Sequence, residues 1–353
     1  MKISMIALSL TGQETGNMLK QHLENLGMEV SFVKKSKYIE DSMTLSLDEW
    51  TAREFPITDV MIWVCACGIA VRHIAPYLKS KKTDPAVIVM DECGKFVISL
   101  VSGHLGGANE LTLKIAELTG SIPVVTTATD MHNLFAVDVF SRKNKCEIRN
   151  MTAAKEVSAA LLAGKEVGFY SEFPCDGELP KGLVLCDRHG QQITNPGNSP
   201  EIGIAVTIYR GTKPFSSTVT IIPKTVVLGM GCRRAKEPEG IFKAAQEVLS
   251  KNQIYLDAID KIVSIDLKKE EQGLLALSEK WHVPFETYSE EELLNVPGDF
   301  TPSAFVKSIT GVDNVCERSA VLGSNYGELI QKKNGKDGVT TALAKCNRRL
   351  RFE

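Results

Sequence analysis

The sequence predicts an α/β protein built from three consecutive units. The first and third are expected to be mainly parallel open sheets flanked by helices, and the middle one is smaller. Three observations carry this. Short apolar runs alternate with amphipathic stretches along most of the chain. Glycine-rich turns stand where runs such as "FVISLV" and "TVVLGM" give way to helical pattern. At 353 residues the chain can bury two or three cores. Composition turns polar and charged near residue 140, at "SRKNKCEIRN", which sets the expected units at 1–140, 141–224 and 225–353.

Taken in order, "ISMIALSLTGQETGNMLKQHLENLGMEVSFV" reads strand, loop, helix, strand. "ITDVMIWVCACG" is a buried strand stopped by Gly68, followed by a helix "IAVRHIAPYL" that Pro76 kinks or ends. "AVIVMDECGKFVISLVSG" reads as two strands joined by a hairpin at Asp91 to Gly94. Next comes "SLVSGHLGGANELTLKIAEL", residues 99–118, a strand, a glycine-rich turn and a helix with Ala108, Leu111, Ile115 and Leu118 on one face. "SIPVVTTATD" then supplies a strand running into Thr127 and Asp130.

In the middle unit, helix "TAAKEVSAALLAG" and strands "EVGFYS", "IGIAVTIY" and "STVTIIP" surround a Gly/Pro/Asn-rich loop near residues 174–198. The third unit opens with a strand that Gly229 and Gly231 break, then a helix with Pro238 in its first turn and an apolar stripe from Ile241 to Leu249. "KIVSIDL", "EEQGLLALSEKW" and "VPFETYS" follow as strand, helix and strand. Ser289 with Glu292 reads as a capping box. "ELIQKKNGKDGVTTALAKC" closes as a hairpin turning at Asn334 to Gly338.

Composition excludes several classes of function. A net charge of −2 gives no broad field for nucleic acid or an anionic membrane. The longest apolar run, "VMIWVCACGIAV" from Val60, is too short to span a bilayer. Met1 leads straight into "KISMIALSL" with no basic flank or cleavage site. Nine scattered cysteines fit reduced thiols better than a disulfide framework. A cytoplasmic protein is the expectation.

The candidate chemistry gathers at turns. Gly103, Gly106 and Gly107 leave His104 and the first amides of the next helix with little side-chain cover, a place suited to an anion or an oxyanion. If the strands before His104 and Thr127 run the same way, His104, Asn109, Thr127 and Asp130 share one crevice, with Arg72 and His73 as its third wall. A histidine can move a proton near neutrality, with Asp130 orienting it or a water. That set suits acyl hydrolysis or carbon–carbon cleavage beside a carbonyl. No serine stands in a G-x-S-x-G elbow, so water is the expected attacker. Each residue also has a structural reading: glycines for a tight turn, a solvated histidine, a capping aspartate, threonines satisfying backbone.

"GMGCRRA" matches the permissive G-x-G-x-x-G/A dinucleotide pattern, but no acidic residue closes the second strand at the required distance, since Asp266 lies too far on. Gly229, Gly231, Arg233 and Arg234 fit better as a cradle for carboxylates, against the reading of two surface arginines. The spacings of Cys65, Cys67, Cys93, His73 and His104 form no zinc pattern, so no metal site is expected.

Residues 68–130, from "GIAVRHIAPYLKSKKTDPAVIVMDECGKFVISLVSGHLGGANE" to "TTATD", resemble the CbiG family, the cobalt-precorrin-5A hydrolases of anaerobic cobalamin synthesis. The resemblance returns in "PKTVVLGMGCRRAKEPEGI" and more weakly in "GVDNVCERSAVLGS". Ala235 departs from the family's "GCRRG"; a methyl there would restrict the loop without removing its arginines. The resemblance implies a cobalt tetrapyrrole substrate bearing a ring A δ-lactone, opened by water with loss of acetaldehyde to give cobalt-precorrin-5B. For that reaction the residues read above suggest His104 as the expected base, Asp130 orienting it, and the Gly106 and Gly107 amides as cradle. Arg72, Arg233 and Arg234 would hold peripheral carboxylates. Cobalt belongs to the substrate, so no cofactor is expected. Partners reduce to that small molecule and transient contact with other enzymes of the pathway, with no nucleic acid and no membrane. Two other classes remain open here: a tetrapyrrole carrier without chemistry, which would bind and form no product, and a nucleotide-dependent enzyme using Gly231.

Overall fold

The computed structural model describes residues 1–80, 83–128, 132 and 134–352. Its contacts divide the chain into two compact units, Met1–Val139 and Phe140–Glu353.

The first unit is a six-stranded sheet of β1 (Lys2–Ala7), β2 (Glu29–Lys34), β3 (Val60–Val64), β4 (Ala86–Met90), β5 (Phe96–Val101) and β6 (Ile122–Val124), ordered β2-β1-β3-β4-β5-β6. The first four run parallel. β5 turns back against β4, and β6 follows β5 in parallel. Val60, Ile62 and Val64 enter one core while Met61 and Trp63 enter the other, so β3 is apolar throughout because both of its faces are covered. Helices α1 (Leu10–Asn25) and α4 (Ala108–Thr119) cover the first face through Leu19, Leu23, Leu111 and Ile115. α2 (Leu47–Glu54) and α3 (Cys67–Ile74) cover the second through Trp50, Ala70 and Ile74. The sequence pattern missed α2, although Ser46 and Glu49 form a full capping box at its start. β3 ends before the expected stop, at Val64, and Cys67 already belongs to α3. The β4–β5 hairpin forms as expected, with the Asp91 carboxylate accepting the Cys93 and Phe96 amides.

α5 (Val137–Lys143) runs into the second unit, which holds two five-stranded sheets. In the first of these, β7 (Cys146–Arg149) is antiparallel to β12 (Ser217–Pro223), while β10 (Leu183–Leu185), β8 (Val167–Ser171), β11 (Ile202–Val206) and β12 are parallel neighbours. α6 (Met151–Leu162) packs against it. β7 lies inside the polar stretch read as a boundary; it is an edge strand with every second residue exposed. β9 (Cys175–Asp176) pairs with β18 (Leu350–Arg351), bringing the chain's last residues back to this sheet. Asn144 exchanges two hydrogen bonds with the Arg351 backbone, at 2.8 and 2.9 Å, and Phe352 packs on Phe140 and Phe169.

The other sheet is ordered β15-β14-β13-β17-β16. β13 (Val226–Cys232), β14 (Ile259–Ile265) and β15 (Phe285–Tyr288) are parallel; β16 (Glu328–Lys336) and β17 (Val339–Lys345) are an antiparallel hairpin joined to β13. Asp337 and Gly338, at φ 51° and 78°, make the two-residue turn. The helices here are α7 (Pro238–Lys251), α8 (Gln272–Trp281), α9 (Glu290–Leu294), α10 (Ala304–Thr310) and α11 (Val315–Gly323). Ser289 and Glu292 form the expected capping box on α9.

Gly229 and Gly231 do not break β13, which runs through both to Cys232. Gly229 is buried under α11, and a Cβ there would stand 1.9 Å from the Cys316 carbonyl oxygen. Its lack of a side chain lets α11 lie close on Ala342 and Ala344. It is therefore a packing residue rather than part of a carboxylate cradle. Gly229→Ala is expected to destabilise the protein by about 2–3 kcal/mol through overpacking, read as a lower urea midpoint; unchanged stability would contradict this role.

Candidate active site

The His104 turn is a tight loop. Ser102 stands at φ 57° and Gly107 at φ 82°, where Gly107 caps α4 in the left-handed region. Carbonyls of the same loop accept the helix-mouth amides: Gly107 N–H donates to His104 O at 3.1 Å, Ala108 to Ser102 at 3.3 Å and Asn109 to Gly103 at 3.0 Å. The expected amide cradle is thus largely closed by the chain itself. A Cβ on Gly103 would meet Asn109 Oδ1 at 2.5 Å, and one on Gly106 would meet Ser102 O at 2.8 Å. The glycines permit the turn.

β5 and β6 run the same way, so His104, Asn109 and Thr127 do come to one end of the sheet. Asn109, 6% exposed, accepts from Ser99 Oγ at 2.6 Å and donates to Thr127 Oγ1 at 3.0 Å. That joins β5, α4 and the loop after β6, giving Asn109 a positioning part. His104 Nδ1 lies 3.1 Å from Asp138 Oδ1, with the two side chains 12% and 15% exposed. That contact orients the imidazole through Nδ1. Asp138 was missed by the sequence reading, because an acid in the first turn of a helix is ordinarily a dipole or capping residue. Asp130, expected in this place, lies outside the described residues.

Arg72 does not join this group. β3 runs against β5, so α3 starts at the far end of the sheet and covers the other face. Arg72 is exposed there, while His73 stacks on Trp63 and pairs with Asp48 at 2.6 Å.

The second unit contains a cavity of about 1450 Å³ that Gly231, Arg233, Arg234, Lys236, Lys268 and Lys333 help to line. Gly231 is needed there because a Cβ would lie 2.7 Å from Thr340 Oγ1. The Arg233 amide donates to Gly338 O at 2.9 Å, fastening this turn to the β16–β17 hairpin tip. Burial pushes the Cys232 and Cys316 thiols, also in this lining, up to about 11. Both are protonated near neutrality and suited to neither nucleophilic attack nor metal binding. Among the described residues no group of three or more His, Cys, Asp or Glu is placed to hold a metal, and no helix is long and apolar enough to cross a membrane.

One wall of Cys316's helix is fixed by a buried carboxylate. Glu317, fully buried, accepts from Thr301 N and Oγ1, both at 2.9 Å, and from the Lys333 amide at 2.5 Å. Ala235 follows the two arginines at φ 55°, in the left-handed region that disfavours a side chain. Ala235→Gly is expected to raise stability by about 0.5–1 kcal/mol, relief of the left-handed strain outweighing glycine's unfolded-state entropy. Urea unfolding reads this, and a less stable variant would contradict it.

Comparison with known proteins adds three matches in succession: cobalamin synthesis G N-terminal over residues 49–130, cobalamin biosynthesis central region over 135–223, and cobalamin synthesis G C-terminus over 226–344. The cobalt-precorrin-5A hydrolase of Salmonella typhimurium is 35% identical over 299 residues, 83% of this chain and 84% of the relative. That of Priestia megaterium is 33% identical over 80% of this chain and 78% of the relative. A probable cobalt-precorrin-5A hydrolase of Methanocaldococcus jannaschii is 26% identical over 81% of this chain and 85% of the relative.

Proposed function

This chain belongs to the cobalamin synthesis G family, and from that premise we propose that it is a cobalt-precorrin-5A hydrolase whose proton transfer falls to the His104 turn. The protein is a hydrolase of cobalamin biosynthesis. The observation that carries this is 35% identity to a curated cobalt-precorrin-5A hydrolase across 83% of the chain. A carrier without chemistry is not favoured by such relatives. The substrate is a cobalt tetrapyrrole whose ring A δ-lactone is opened with release of acetaldehyde, giving cobalt-precorrin-5B.

In the proposed mechanism, His104 Nε2 takes a proton from water as the hydroxyl oxygen adds to the lactone carbonyl. The carbonyl re-forms, the ring C–O bond breaks, and the proton passes from His104 to the departing alkoxide. The resulting alcohol then loses its proton, its oxygen forms C=O, and the bond from that carbon to the macrocycle breaks. The electron pair stays on the macrocycle, which takes up a proton as acetaldehyde leaves. Asp138 positions His104 and favours its protonated form during the first step, as opposite charge close to an imidazolium does. Asn109 and Thr127 hold the loop; in the second unit, taken by itself, Arg233 and Arg234 offer groups that suit carboxylates. Cobalt arrives with the substrate and the protein supplies no metal.

His104→Ala is expected to lower kcat about 10²–10⁴-fold with KM little changed. Asp138→Asn should cost about 10–100-fold, with partial recovery in Asp138→Glu. Turnover of cobalt-precorrin-5A without oxygen is the assay; full activity in His104→Ala would remove the base assignment. Treating the protein with a chelator before adding substrate should leave the rate unchanged, and a loss restored by added metal would show a resident ion.

A further inference from the structure

The carboxylate role of Arg233 and Arg234 leaves one part of the same cavity unexplained. α10 presents Phe305 and Ile309 at 70% and 61% exposure, and Leu267, beyond β14, is 67% exposed; all three line the cavity. α10 has no buried residue of its own. It is fixed at its ends, where Ser303 Oγ accepts the Val306 amide and Gly311 closes the helix at φ 73°. Val306 alone packs down, onto the cluster of Ile265, Leu293, Val312 and Val315. Large apolar side chains gathered at one cavity, held in water by a capped helix, mark a binding surface.

The charges lining the cavity describe what binds. Lys268 is paired with Glu271 at 2.8 Å and Lys336 with Glu247 at 3.4 Å. Arg233, Arg234, Lys236 and Lys333 have no carboxylate partner among the described residues. Glu237, Glu270 and Asp337 also line the cavity, so its unpaired charge is mixed, with cations in slight excess. Apolar plates beside unpaired cations complement a broad apolar ring with carboxylates around its edge. The volume of about 1450 Å³ exceeds the roughly 300–1,000 Å³ usual for smaller ligands.

We propose that Phe305 and Ile309 of α10, with Leu267, form the surface on which the face of the tetrapyrrole ring lies, and so determine which macrocycles are accepted. The identity of the ring rests on the hydrolase reading; the apolar surface and the unpaired cations do not. The test is the full chain carrying Phe305→Ser and Ile309→Ser together, titrated with cobalt-precorrin-5A by its absorption spectrum and assayed for hydrolysis, both without oxygen. Because both side chains are exposed, the thermal midpoint should stay at the wild-type value. Kd and KM should rise about tenfold or more, with kcat within about twofold. Unchanged Kd and KM beside normal wild-type hydrolysis would overturn the role of α10 while leaving the hydrolase intact. Wild-type binding without hydrolysis would count against the hydrolase, and the double variant's Kd would still decide α10. No wild-type affinity for the ring overturns the proposal. So does loss of self-association in the variant at unchanged Kd, which would assign the patch to a second copy of the chain.

Discussion

The reversal of β5 against β4 decides what the first unit can bring together. Four parallel strands deliver their carboxyl ends to one edge of the sheet, where α1 and α3 begin. The Asp91 carboxylate gathers the Cys93 and Phe96 amides, Gly94 takes φ 69°, and the chain returns the way it came. Everything after that turn exits at the opposite edge. His104, Asn109 and Thr127 meet there, while Arg72 and His73 stay behind on the other face. A fully parallel sheet would have collected all of them. The observed one separates a compact His104–Asp138 pair, held over an Asn109 hydrogen-bond bridge, from residues that resemble it only in type.

In the second unit the corresponding constraint is close approach. Gly229, Ala320, Ala342 and Ala344 leave room for α11 to lie directly on the sheet. The buried Glu317 carboxylate then ties that helix to Thr301 and to the β16 backbone. A buried carboxylate is tolerated only with such donors around it. The outcome is a rigid wall behind Cys316, with the more loosely held α10 and the Arg233 turn lining the same cavity. Packing sets the wall, and the exposed side chains of α10 line the cavity in front of it.

Much of this was legible in sequence, for physical reasons that vary with the element. Period-two and continuous apolar runs identified β3, β4, β5, β13 and β14, because burial on both faces leaves little choice of residue. Glycine turns identified the neighbourhoods of His104 and Arg233. What sequence pattern could not supply was direction: nothing local shows that β3 and β5 run oppositely, so Arg72 was grouped with His104. Gly229 looked like its neighbour Gly231, and only the helix above it separates packing from cavity lining. Asp138 sits far from His104 along the chain and is disguised as a helix-start acid. β7 hid in polar residues because an edge strand exposes half of them. The apolar face of α10 carried no signal, since nothing local shows that Phe305 and Ile309 stay exposed.

The central claim is that water opens the lactone, with the C–O bond broken at the acyl carbon. A single turnover of cobalt-precorrin-5A by the intact protein in ¹⁸O-labelled water, without oxygen, tests it. Acetaldehyde is expected in step with product, with labelled oxygen retained in the carboxylate freed from the lactone. Acetaldehyde formed with no label in that carboxylate would contradict hydrolytic opening and the water-activating part given to His104.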